Sequence, residues 1–160
     1  MKNWILLTIA LACFSCQNAD QTTRATAEKK VALESKIVGN WEHVSLEVNL
    51  PTFNNSDTTE MLVVGKGQWE SKLGQRPMKS VFRANNTYEL QYYTITDSLF
   101  QVDRGVWNSF GDTLMMIEPN NTYQYVVRMK DKYAEFKALV DFDGDGKEDD
   151  SYSSIQMKVE

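Results

Sequence analysis

From about residue 39 to the end of the chain, apolar and polar positions alternate with period two in short runs, and none of them keeps a long helical period. Val44, Leu46 and Val48 alternate with His43, Ser45 and Glu47, and Ser153, Ile155, Met157 and Val159 alternate with Ser154, Gln156 and Lys158. Each such run predicts a strand with one wet face and one packed face. Between the runs stand turn residues: Asn85-Asn86, Gly111-Asp112, Pro119-Asn120-Asn121, Lys130-Asp131 and Asp143-Gly144-Asp145-Gly146. The spacing predicts strands near residues 39–48, 60–69, 78–84, 87–95, 98–108, 113–118, 121–129, 132–140 and 150–158. These are hairpins in series. A meander this long exposes two sheet edges unless it closes, so the expected fold is all-β, an antiparallel barrel of eight to ten strands. At about eight strands a barrel interior either fills with side chains or holds one small ligand.

The start of the chain has a different pattern. Lys2 is followed by an apolar run from Trp4 to Ala12, too short to span a bilayer, and then by Ser15 and Cys16. Phe14-Ser15-Cys16 resembles a relaxed lipobox of bacterial lipoproteins. The resemblance implies cleavage after Ser15, acylation of the Cys16 thiol and a firm palmitate-type anchor, since several acyl chains hold where a single one binds only reversibly. Cys13, preceded by Ala12, is a rival acylation site; Cys16 leaves the longer apolar stretch, within the ~7 to 15 residues of such signals. With Cys16 lipidated and Cys13 removed, neither of the two cysteines remains for a disulfide, a thiol nucleophile or a thiolate metal site.

Residues 17–34, QNADQTTRATAEKKVALE, are polar and lack aromatic residues, as expected of a flexible tether with one helical turn at its end. The expected organisation is therefore a signal over residues 1–15, a lipidated tether over 16–34 and one domain over 35–160. The expected location is the outer membrane of a Gram-negative cell envelope, through the lipid. The periplasmic and surface sides both stay open, because Gln17-Asn18-Ala19-Asp20 carries no acidic run. About 125 residues is an ordinary size for one domain and should bury roughly two thirds of its unfolded surface.

Charge narrows the partners. Losing Lys2 with the signal takes the formal charge from −5 to −6, which argues against nucleic acid or anionic lipid as the principal partner. A monomer tethered to a membrane it does not enter is expected.

Within the domain, three stretches resemble the lipocalin-like domains of bacterial lipoproteins, with their calycin-type barrel. They are Ile37-Val38-Gly39-Asn40-Trp41, then Phe82-Arg83-Ala84-Asn85-Asn86-Thr87-Tyr88, and Gly105-Val106-Trp107 followed by Gly111-Asp112-Thr113-Leu114. Gly39-Asn40-Trp41 is similar to the Gly-x-Trp signature at the first lipocalin strand. The resemblance implies that Trp41 plugs the closed end of a barrel, that a basic residue covers its ring, and that residues 49–59 form a lid over the open end. Arg128 and Lys158 are the two candidates for the covering cation.

The sharpest chemical motif is Asp141-Phe142-Asp143-Gly144-Asp145-Gly146-Lys147-Glu148-Asp149-Asp150, which fits D-x-D-x-D-G-x-x-D without a gap. Ca²⁺ takes about six to eight oxygen ligands, and Asp141, Asp143, Asp145, the Lys147 carbonyl and Asp149 could supply five of the positions. It is not an EF-hand: the place of the bidentate glutamate is taken by Tyr152, and strand-like runs flank it. It resembles the calcium-binding hairpin loops of β-propeller and type 3 repeats. A solvated Asp/Gly turn is the competing reading, since water and salt with a screening length of ~8 Å can relieve the same repulsion.

His43 is the single histidine, and without a cysteine partner it is expected to be an ordinary strand residue rather than a zinc ligand or triad base. No spacing among the carboxylates selects an acid and base pair, so no enzymatic activity is expected. Asn-x-Ser/Thr triplets at Asn54, Asn85 and Asn120 are read as turn residues. Two function classes remain. In one, the barrel mouth takes a small apolar or amphipathic molecule, with Phe53, Trp69, Tyr92, Tyr93 and Tyr125 as candidate lining or rim residues. In the other, the barrel is packed solid and the protein acts on an envelope protein, as an inhibitor or assembly accessory.

Overall fold

The computed structural model describes residues 33–160. Cys13, Cys16, the signal and the tether up to residue 32 lie outside the described residues.

Nine antiparallel strands run in chain order: β1 (Gly39–Leu50), β2 (Glu60–Val64), β3 (Lys79–Phe82), β4 (Thr87–Tyr93), β5 (Leu99–Phe110), β6 (Thr113–Ile117), β7 (Thr122–Lys130), β8 (Tyr133–Val140) and β9 (Asp150–Val159). From β3 to β9 each pairs with the next, and β9 returns to pair with β1, which also pairs with β3. Eight strands thus close a barrel and β2 is an extra strand, laid along the Leu46 to Leu50 half of β1. Closure removes the edges that an open meander would expose.

The turns follow the sequence. Asn86, Asp97 and Asp131 take the left-handed conformation at three hairpins, where a short polar side chain can support it. Asn86 does more: its carbonyl accepts from the Trp107 amide at 2.7 Å and its Nδ2 donates to the Trp107 carbonyl at 3.2 Å, pinning the β3–β4 hairpin onto β5.

One predicted strand, 60–69, is shorter than expected. It ends at Val64 because Gly67 turns the chain with φ at +76°, after which Trp69–Leu73 forms a short helix closed by Gly74 at φ +66°. Trp69 is buried there and donates from Nε1 to the Val44 carbonyl at 3.3 Å.

The inward faces also differ from the alternation read along the chain. A bulge between His43 and Ser45 shifts the register of β1 against β9. Trp41 and His43 therefore point inward below it, while Leu46, Val48 and Leu50 do so above it. On β9 the buried positions are Asp150, Ser154 and Gln156, whereas Ile155, Met157 and Val159 are half-buried on the other face. The face expected to be packed is the outer one, because pairing with β1 on one side and β8 on the other decides which side of β9 meets the interior.

Two clusters of buried apolar residues lie at the two ends of the barrel. At the closed end, Leu33, Ile37, Trp41, Phe82, Tyr88, Trp107, Leu114, Met116, Val127, Ala134 and Phe136 pack together. Residues 33–37 are helical, and burial of Leu33 carries the packed domain two residues into the stretch assigned to the tether. Trp41 is 1% exposed and donates from Nε1 to the Ile37 carbonyl at 2.7 Å. Of the two candidate cations, Lys158 covers it: its Nζ lies 5.3 Å from the ring centroid and donates to the Lys36 carbonyl at 2.8 Å. Gly39 makes this possible, since a Cβ there would meet Lys158 Cε at 2.6 Å and its own φ is +137°. Arg128 instead faces outward near Glu135. At the open end, Leu46, Val48, Leu50, Val64 and Trp69 form a second cluster, and Tyr152 touches both.

Candidate functional site: a cavity at the open end of the barrel

Above the closed-end cluster the inward side chains stop meeting, and a cavity of about 470 Å³ remains. That is within the ~300 to 1,000 Å³ usual for sites that hold a small molecule. Leu46, Leu62, Trp69 and Leu73 form one wall, from β1, β2 and the short helix, where the upper half of β1 pairs with β2 and no longer with β3. Leu90 and Tyr92 from β4, Met116 from β6, Tyr123 and Tyr125 from β7 and Tyr152 from β9 form the rest of the apolar and aromatic surface. Tyr125 makes edge-on contacts with Phe136, centroids 6.1 Å apart, and with Tyr152 at 5.6 Å, so the aromatic wall is continuous with the packed core beneath it.

The polar groups are few. Asp103 and Glu118 lie on the wall, and Asp141 with Phe142 at the loop between β8 and β9. Glu118 accepts a hydrogen bond from the Tyr88 hydroxyl at 2.8 Å, and Asp103 accepts from Gln101 Nε2 at 3.0 Å. Burial raises the Tyr88, Tyr92 and Tyr125 hydroxyl pKa values far above the ordinary tyrosine range, and burial brings Tyr152 up to about 12. All four are neutral hydroxyls at physiological pH. His43 sits where the two clusters meet, 2% exposed and edge-on to Trp69 at 5.6 Å. Burial lowers its pKa to about 4, only partly opposed by its bond to Met78, so its ring is neutral as well.

The expected lining residues divide. Trp69, Tyr92 and Tyr125 are brought together around the cavity. Phe53 packs against the open-end apolar cluster from the loop after β1 and does not line the space. Tyr93 is one residue out of phase with Tyr92 and stands on the outer face, under the Lys79 ammonium at 5.1 Å. Asp103 and Glu118, which the reading by residue type passed over, could have been found by phase. Asp103 shares the inward phase of buried Trp107 along β5, and Glu118 that of buried Leu114 and Met116 along β6.

At the mouth, the loop of residues 51–59 meets the acidic loop of residues 141–149. Thr52 Oγ1 lies 3.4 Å from both Asp145 Oδ2 and Asp149 Oδ2, and Asn55 Nδ2 donates to the Asp145 carbonyl at 3.1 Å. The acidic loop is also stitched internally. Gly146 N donates to Asp141 Oδ2 at 3.0 Å, Asp145 N to Asp143 Oδ1 at 3.0 Å, and Lys147 N to Asp145 Oδ1 at 2.9 Å. For Asp145, the bonds from Lys147 and Thr52 outweigh burial and lower its pKa.

Three carboxylates offer oxygens within 4.8 Å of one another: Asp141, Asp143 and Asp150. Two of these are in the expected calcium set, but the third is Asp150 rather than Asp149. Asp150 is 2% exposed, and its Oδ2 accepts from the amides of Phe142 at 2.7 Å and Asp143 at 3.2 Å. Asp145, Asp149 and the Lys147 ammonium, 3.4 Å from Thr52 Oγ1, are instead drawn toward Thr52. The sequence spacing did not reveal this because Asp150 opens β9 opposite Val140 and is buried there, while Asp149, just before the strand, reaches Thr52.

No protein-family model matches the chain, and no curated protein shows significant similarity to it.

Proposed function

We propose that this protein is an envelope lipoprotein, anchored through Cys16, whose lipocalin-like barrel binds a small amphipathic molecule in its open-end cavity. The observation that carries the reading is the cavity itself. A barrel of this size can be filled by side chains, yet here about 470 Å³ is left between aromatic walls with only a few polar groups. That volume counts against the alternative of a solid barrel acting only on another protein. No chemistry is assigned to the site: its single histidine is buried and engaged by Met78, Tyr152 and Gln156, which suits wall structure better than proton transfer. The close approach of the Asp141, Asp143 and Asp150 carboxylates supports a calcium site at the mouth as part of this reading, where the ion would hold the acidic loop together.

Native mass spectrometry of the protein purified from its host tests the binding function. A co-purifying small molecule, lost when Tyr92 and Tyr125 are replaced by alanine, is the expected result. An unliganded barrel that also takes up no amphiphile on titration would overturn it. The anchor is tested separately by labelled palmitate, which should enter the wild-type chain and not Cys16→Ala. Incorporation that persists in that variant and disappears in Cys13→Ala moves the mature terminus to Cys13.

A further inference from the structure

The charged groups on the cavity wall are all acids. Asp103, Glu118 and Asp141 face it, and no Lys or Arg side chain among the described residues lines it. The nearby cations are engaged elsewhere. Arg76, beside the lining Gln75, pairs with Glu70 and Asp97, Lys147 at the mouth pairs with Asp145, Lys79 lies over the outer Tyr93 ring, Arg83 and Arg104 pair with Glu89, and Lys158 covers Trp41 at the closed end. An anionic head group would thus meet like charge without compensation, while a cation would meet carboxylates and the faces of Trp and Tyr rings.

A second, independent feature lies on the closed-end side of the cavity. The Met78 carbonyl can only accept a hydrogen bond, so His43 Nδ1 carries the proton and Nε2 is an acceptor. Gln156 donates its Nε2 to that nitrogen at 3.3 Å, which fixes the amide and leaves its Oε1 without a partner although the residue is 5% exposed. Gln156 and Ser80, whose Oγ is also unpartnered, line a chamber of about 30 Å³ that shares His43, Met78, Leu90 and Met116 with the main cavity. A buried acceptor without a donor is unfavourable, and a chamber of this volume admits one small hydrogen-bonding group.

We propose that the ligand is an amphipathic amine, a primary ammonium on an apolar body, selected by the carboxylates of Asp103 and Glu118 and by the free acceptor of Gln156. The proposal rests on the cavity being the binding site and adds the ligand's charge and donor character.

Calorimetric titration of the full chain with decylammonium and with decanoate, each below its micelle concentration, separates the two ideas, because the tails match and the heads differ in sign. Decylammonium should bind more tightly by about tenfold or more. Asp103→Asn combined with Glu118→Gln should remove most of that preference without losing decanoate binding. Gln156→Leu should weaken decylammonium alone, so the assignment does not depend on the double variant folding. Equal or tighter binding of decanoate overturns the amine and leaves the cavity as a site. Binding of neither probe overturns both.

Discussion

The two ends of this barrel are built from the same strands and similar residue types, yet one is solid and the other hollow. At the closed end Trp41, Phe82, Tyr88 and Trp107 are buried against one another, and each indole N–H has a carbonyl partner, Trp41 on Ile37 and Trp107 on Arg83. At the open end Trp69, Tyr92, Tyr123 and Tyr125 stand around a space they do not fill. The difference lies in what supports the rings. The lower aromatics have the helical turn of residues 33–37 and Lys158 pressed under them. The upper ones face a gap that opens where the Leu46–Leu50 half of β1 pairs with the extra strand β2 rather than with β3, and the short helix lies in that part of the wall. Aromatic content alone therefore does not distinguish a core from a binding site; the neighbours of each ring do.

The largest effect that should separate the ends is on stability. Trp41→Ala removes a fully buried indole, its hydrogen bond and its cation contact, and should cost about 3 to 5 kcal/mol in urea denaturation. A loss below about 1 kcal/mol would mean that the closed end is not a packed core.

His43 stands at the boundary and should report on it through pH. Burial depresses its folded pKa to about 4 from the ordinary histidine value of 6.5, so the unfolded chain takes up the proton first as pH falls. The stability it contributes is fully present above about pH 6.5 and is lost as pH drops toward about 4, by roughly 3 kcal/mol in total. His43→Gln should flatten that part of the stability profile. An unchanged profile in the variant would show that the imidazole is not withheld from water.

A smaller effect is expected at the mouth. A calcium site with a dissociation constant of about 0.1 mM would add roughly 1.4 kcal/mol in about 1 mM Ca²⁺, a rise of a few degrees in the thermal midpoint. Asp141→Asn with Asp143→Asn should abolish the rise, and Mg²⁺, which sheds its water reluctantly, should produce much less of it. No shift with Ca²⁺, or a shift that survives the double variant, would leave the loop as a hydrogen-bonded turn only. Smallest of all should be the stability cost of Tyr92→Ala, under about 1 kcal/mol, because this ring already faces open space on one side. The same change should weaken ligand binding clearly. A cost approaching that of Trp41→Ala would erase the contrast between the two ends.

Strand positions and turns were legible along the chain because they depend on near neighbours. Alternation marks a strand, and Asn86, Asp97, Gly111 and Asp131 supply the left-handed residues that hairpins need. Trp41 and Gly39 could likewise be picked out as a structural pair. Which face of each strand turns inward was not legible, since period two is the same on both faces until a partner chooses one. The bulge between His43 and Ser45 leaves Leu46 and Val48 on the expected inner face but turns His43 inward below it, and pairing with β1 and β8 puts Ser154 and Gln156 inside in place of Ile155 and Met157. The same choice brings Asp103, Glu118 and Asp150 to the cavity and mouth and leaves Tyr93 outside. The sequence by itself determined the hairpins, through local backbone preference. The composition of the interior, and with it the acidic character of the cavity, was decided only when β9 closed on β1, because inside and outside do not exist for a strand until the sheet has curved back on itself.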